Sequence, residues 1–120
     1  DVAAGARDGG AAQEWIGVAF RMGGETFLVE RDELFDRIES LSLRLEADPA
    51  SHTDLTVLFQ AVHTLKSQFG ILGFRHFEGV CQDLESELEE VRMARSPVPL
   101  SAVNAALSLV DRARAFFDTV

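Results

Sequence analysis

Apolar residues recur along the chain at helical spacing. Leu34, Ile38, Leu41 and Leu45 are separated by four, three and four positions, which puts them on one face of an α-helix. The pattern is read as helical from Glu25 and stops at Asp48-Pro49, because a residue that precedes proline is pushed out of the α region. After a polar connection over residues 50–53, a second helix is expected from near Thr53 or Asp54, with Ser51 or Thr53 as its cap. Its stripe is Leu58, Val62, Leu65, Phe69 and Leu72, and Gly73 breaks it. A third helix is expected from about Phe74 to Met93, with Phe77, Val80, Cys81, Leu84, Leu88 and Val91 on one side. Ser96-Pro97-Val98-Pro99 is a stop and restart, and a fourth stripe follows: Leu100, Val103, Leu107, Val110, Ala113 and Phe117.

Each stripe is one-sided and the connections are short, so neighbouring helices should run antiparallel with their stripes turned inward. The expected fold is all-α, an up-and-down antiparallel four-helix bundle over residues 26–120. Residues 1–25 are expected to be an N-terminal extension or linker. Its first dozen residues are small and aperiodic, with Gly9-Gly10. Gln13 to Met22, carrying Trp15, Ile16, Val18 and Phe20, fits either a short extra helix or a strand.

Composition narrows the function. The 120 residues are 47% hydrophobic, enough for a real core. Lys and Arg number 11 against 20 Asp and Glu, a net charge of −9. That balance argues against nucleic acid or an anionic membrane as the main partner. No apolar run reaches membrane length, so no membrane insertion is expected. The lone Cys81 excludes an intrachain disulfide and a cysteine-built zinc site, and it fits a reducing, cytoplasmic setting. The chain begins at Asp1 rather than Met, so it is expected to be a piece of a longer protein.

The segment Val62-His63-Thr64-Leu65-Lys66-Ser67-Gln68-Phe69-Gly70 carries the candidate chemistry. His63 sits one residue, a rotation of about 100°, from the core position Val62, so it should face outward. Lys66, Ser67 and Gly70 follow at i+3, i+4 and i+7 and line the same face. Glycine in mid-helix costs about 1 kcal/mol relative to alanine, which suggests that something approaches closely at Gly70. Periodicity alone favours a plainer reading, in which His63 is an ordinary surface histidine and Gly70 admits a bulky neighbour from another helix.

This segment resembles the signature of histidine-containing phosphotransfer (HPt) domains: a histidine, a lysine three residues on, a small residue, a glycine, and a further Gly-Phe. Here these are His63, Lys66, Ser67, Gly70 and Gly73-Phe74. The likeness is strongest to the N-terminal phosphotransfer domain of CheA-type chemotaxis kinases, over about Thr26 to Val120. It departs at Ser67, where the family usually has glycine. The resemblance implies a phosphoacceptor at His63, supported by Lys66, by Glu85 as the carboxylate that orients the ring, and by Gln82 as a further polar partner, often histidine in such relatives. On residues alone, Glu85, Glu87, Glu89 and Glu90 are equally a solvated acidic face.

The implied function is phosphocarrier rather than enzyme. A phosphoryl group on His63 would pass between a histidine kinase catalytic domain and the aspartate of a response-regulator receiver domain, which would dock over Phe59, Thr64, Ser67 and Gly70. No cofactor or metal is expected on this chain, since ATP and Mg would reside on partner domains, and no P-loop or kinase-type glycine-rich loop is present. The di-iron motif Glu-x-x-His is also absent, since Pro49, Gln60 and Gly73 stand three before His52, His63 and His76. The competing expectation is a helical interaction module with the same fold and no phosphotransfer.

Overall fold

The computed structural model describes residues 18–22 and 25–118. The aperiodic lead-in and the positions of Trp15 and Ile16 lie outside the described residues. Four helices follow in chain order: α1 (Arg31–Ala47), α2 (His52–Leu72), α3 (Arg75–Ala94) and α4 (Leu100–Asp118). They form an up-and-down four-helix bundle in which α2 packs on α1 and α3, and α4 packs on α1 and α3.

Two strands precede the bundle, β1 (Val18–Met22) and β2 (Glu25–Val29). They pair antiparallel in the register Val18 to Val29, Phe20 to Phe27 and Met22 to Glu25, and β1 lies alongside α2. This corrects the expectation of helix from Glu25, because α1 begins only at Arg31. Thr26, Phe27 and Val29 are β-formers, and Gly23-Gly24 between two five-residue runs is a hairpin signal in sequence. Helical periodicity does not register such a signal. After Glu30, whose backbone is extended, Asp32 and Glu33 place negative charge in the first turn of α1, where the helix dipole favours it.

The stripes converge on one core. Leu34, Ile38, Leu41 and Leu45 from α1 meet Leu58, Val62, Leu65 and Phe69 from α2; Cys81, Leu84, Leu88 and Val91 from α3; and Val103, Val110, Ala113 and Phe117 from α4. Leu72, Phe77, Val80 and Leu107 are only partly buried. Leu100 is 58% exposed, at the first residue of α4, where the stripe has not yet reached the core. Phe35, Leu55, Phe74, Val98 and Leu109 complete the core from outside the expected stripes. An apolar face wider than a strict i, i+4 line accommodates them.

Helix ends set the geometry of the α2–α3 pair. Ser51 caps α2 by accepting a hydrogen bond from the Asp54 amide at 3.3 Å, so α2 starts at His52, slightly earlier than expected. The Asp54 carboxylate meets Arg44 of α1 at 2.9 Å. At the other end Gly73 has φ 84°, the left-handed conformation that glycine adopts without steric cost. Its amide donates to the Gly70 carbonyl at 3.2 Å and the Phe74 amide donates to the Phe69 carbonyl at 2.9 Å. That is a Schellman closure, completed by the Phe69–Phe74 ring contact at 6.2 Å. The turn is therefore rigid, and it sets which residues of α3 face the outward surface of α2. At the far side Arg114 of α4 binds Asp36 at 2.5 Å and Glu39 at 2.9 Å, closing α4 onto α1.

Candidate functional site

His63 lies near the middle of α2 with its side chain 56% exposed, one position off the buried Val62. Its ring is not free to spin. Nδ1 lies 2.5 Å from Oε2 of Glu85 on α3. The carboxylate that does this is almost completely covered, with its side chain 11% exposed. Its other oxygen, Oε1, is 2.5 Å from the Lys66 ammonium. Lys66 also donates to the Gln82 side-chain oxygen at 3.1 Å, and Gln82 in turn donates from Nε2 to Ser86 Oγ at 3.0 Å. His63 and Lys66 come from one helix, and Glu85, Gln82 and Ser86 from the next.

The carboxylate is the electrostatic centre. Burial pushes the Glu85 carboxyl up, but hydrogen bonds from Lys66 and His63 and the charges of both outweigh burial and hold it below the ordinary 4.5. Glu85 is therefore ionised at neutral pH. It accepts at Nδ1, so the tautomer it favours carries its proton on Nδ1 and leaves the Nε2 lone pair free. Lys66 is the only lysine among the 120 residues, and its ammonium sits against that same carboxylate. A positive charge is thereby held at the carboxylate that braces the ring.

The remaining candidates occupy different surroundings. Ser67 is exposed and its hydroxyl donates back to the His63 carbonyl at 3.2 Å. Thr64 is half-buried, with its hydroxyl on the Gln60 carbonyl at 2.9 Å. Phe59, one turn before His63, packs partly against the core, and the Arg92 guanidinium of α3 lies 4.9 Å from its ring centroid. Phe59, Lys66, Gln82, Ser86, Glu89 and Glu90 line an open groove of about 420 Å³ between α2 and α3. Gly70 is half-buried against α3: a Cβ built there meets Glu78 Oε2 at 2.9 Å. Its missing side chain makes room for a carboxylate of the same chain.

Ser86, Glu78 and Arg92 were not singled out from sequence. The i, i+4 spacing of Gln82 and Ser86 on a helix, and the i, i+3 spacing of Glu89 and Arg92, were the available signals. Among the described residues no group of three His, Cys, Asp or Glu side chains is arranged to hold a metal ion. Among them, too, no helix is long and apolar enough to cross a membrane.

A four-helix bundle carrying an outward imidazole braced by a carboxylate of the next helix defines a class of protein. Residues 25–116 match the family described as Hpt domain, and the chain belongs to that family, the phosphotransfer modules of two-component signalling. Among curated proteins, the chemotaxis protein CheA of Halobacterium salinarum is 27% identical over 96 residues. The match takes in 80% of this chain and 14% of that protein, so the chain spans a small part of its relative's length. No solved structure is a significant match to the chain.

Proposed function

We propose that this domain accepts a phosphoryl group on Nε2 of His63 and passes it on to a receiver-domain aspartate. The observation that carries this reading is the pairing of an exposed ring with a buried acceptor at its other nitrogen. Nδ1 donates to Glu85, so the ring is oriented and Nε2 points outward as the nucleophile. In the transfer, the Nε2 lone pair forms a bond to phosphorus while the donor's P–O or P–N bond breaks, and its electron pair leaves with the donor. The ring keeps its Nδ1 proton, and Glu85 balances the positive charge that develops on the imidazole. The Lys66 ammonium can counter the charge of the incoming phosphoryl group. Such transfer rests on positioning and electrostatics rather than on covalent help from the acceptor.

The phosphocarrier role leaves ATP and Mg to a histidine kinase catalytic domain and the second acceptor to a response-regulator receiver. Both partners would approach from the α2 face between Phe59 and Ser67, in a cytoplasmic setting. The test is direct. Wild-type protein incubated with a cognate kinase and ATP should acquire acid-labile, base-stable phosphate, and His63→Gln should acquire none while melting as the wild type does. A folded His63→Gln protein that takes up phosphate normally would overturn the assignment of His63, and a wild type that takes up none would leave an interaction module with this fold.

A further inference from the structure

We infer that Ser86 is a positioning residue for Lys66, acting through Gln82, an inference that deepens the phosphoacceptor reading of His63 and rests on it for its functional part. The argument begins with the amide. Gln82 has one end that only accepts and one that only donates, and either can face Lys66 unless something chooses. An ammonium has only protons to offer, so the Gln82 oxygen must be the end that meets it, as it does at 3.1 Å. The Nε2 end then needs an acceptor. Ser86, one turn further along α3, supplies it at 3.0 Å.

The ammonium fixes which end of the amide faces Lys66, and the Ser86 hydroxyl tethers the other end, so the Gln82 oxygen is held in place at Lys66. Lys66 in turn bridges Gln82 and the Glu85 oxygen that does not serve His63. The chain runs Ser86, Gln82, Lys66, Glu85, His63, with each member holding the next. Without the serine, the exposed Gln82 side chain loses its second anchor and its oxygen spends less time at Lys66. Lys66 then keeps Glu85 alone as its anchor and samples positions away from the ring.

Ser86 is exposed and makes no core contact, so its structural and positioning roles separate cleanly. Alanine is the better helix former, so Ser86→Ala should melt at the same temperature as the wild type or higher. Two readouts test the inference on the full chain. The first is the Lys66 ammonium resonance in 15N-lysine-labelled protein, which is unambiguous because the chain has one lysine. Hydrogen bonds to Gln82 and Glu85 slow its proton exchange and should make it visible in the wild type. It should broaden in Ser86→Ala and return in Ser86→Thr, which keeps the hydroxyl.

The second readout is the rate of His63 phosphorylation by phosphoramidate, a small donor that needs no protein contact. It should fall about three-fold in Ser86→Ala, the size expected for one lost solvent-exposed hydrogen bond, and recover in Ser86→Thr. A wild-type chain that takes no phosphate from phosphoramidate or kinase would refute the phosphoacceptor reading, while the ammonium resonance would still report on the chain of contacts. A Ser86→Ala protein with an unchanged ammonium signal and an unchanged rate would refute the positioning role itself.

Discussion

Nδ1 of His63 and Oε2 of Glu85 lie 2.5 Å apart, joining the outward face of α2 to the covered side of α3 across 22 residues of sequence. The pairing is asymmetric. The imidazole is mostly in solvent and the carboxylate mostly out of it, so the buried partner dictates where the exposed one points. A ring anchored in this way loses rotational freedom before any donor arrives, which lowers the entropic part of the barrier to transfer.

Removing the anchor should slow transfer without abolishing it. Glu85→Ala is expected to reduce the rate of His63 phosphorylation roughly ten- to hundred-fold, about the loss seen when a carboxylate that orients a metal-bound imidazole is removed. Glu85→Gln keeps an acceptor oxygen for Nδ1 and should lose less. Stopped-flow phosphorylation beside 15N chemical shifts of the ring distinguishes the two. The alanine variant should show a mixture of tautomers where the wild type shows the Nδ1-protonated form.

The same carboxylate should leave a mark on acid stability. The folded-state value of Glu85 is depressed below its ordinary 4.5, so its contribution is complete above that value and is lost as pH falls through the folded-state value. The stability difference between wild type and Glu85→Gln should therefore shrink progressively as pH falls below about 4.5 and through the folded-state value. Urea melts of both proteins at matched pH would measure it. A difference that grows on acidification contradicts the assigned sign.

Gly70 makes a separate test of the α2–α3 contact. The atom that a new Cβ would meet at 2.9 Å is the terminal oxygen of Glu78, the mobile end of a flexible side chain. It can swing aside, and alanine improves helix propensity by about 1 kcal/mol. Gly70→Ala is thus expected to match or exceed wild-type stability in a thermal melt. Loss of more than about 2 kcal/mol, a large effect for a single substitution, would mean that Glu78 is held in place.

Arg95 ends α3 with φ 55°, a left-handed conformation adopted here by a residue with a side chain. Its amide and that of Ser96 close the helix on the Arg92 and Val91 carbonyls, as Gly73 and Phe74 do for α2. Arg95→Gly relieves the Cβ strain and should stabilise the fold by about 1 kcal/mol. The favourable interaction of the arginine charge with the helix end opposes part of that gain. Equilibrium unfolding in guanidinium would read the balance, and a destabilised variant would show that the charge outweighs the strain.

Cys81 should be silent in the folded protein. Burial, with the Glu85 charge next in effect, pushes its thiol up to about 12, and the thiolate is the reactive form. Iodoacetamide at neutral pH is expected to label the native chain only as fast as the core opens, and the unfolded chain at once. Rapid labelling under native conditions would mean that the α3 side of the core opens far more often than its packing implies.

The sequence by itself determined the four helices, their stops and most of their buried faces. These follow from spacing, proline and glycine, which act within a turn or two of chain. It also put His63, Lys66 and Ser67 on the outward face of α2, since that needs only the rotation per residue. Tertiary structure decided the rest. Glu85, Glu87, Glu89 and Glu90 look alike along α3, and only the rotation of α3 against α2, set by core packing and the Gly73 turn, buries Glu85 and brings it to Nδ1 of His63. The same rotation turned Gly70 toward Glu78 and lined up Ser86, Gln82 and Lys66. Residues 25–29 became a strand for a similar reason. A strand's backbone hydrogen bonds are made with another segment, so its stability is decided by the pairing with Val18–Met22 and not by its own five residues.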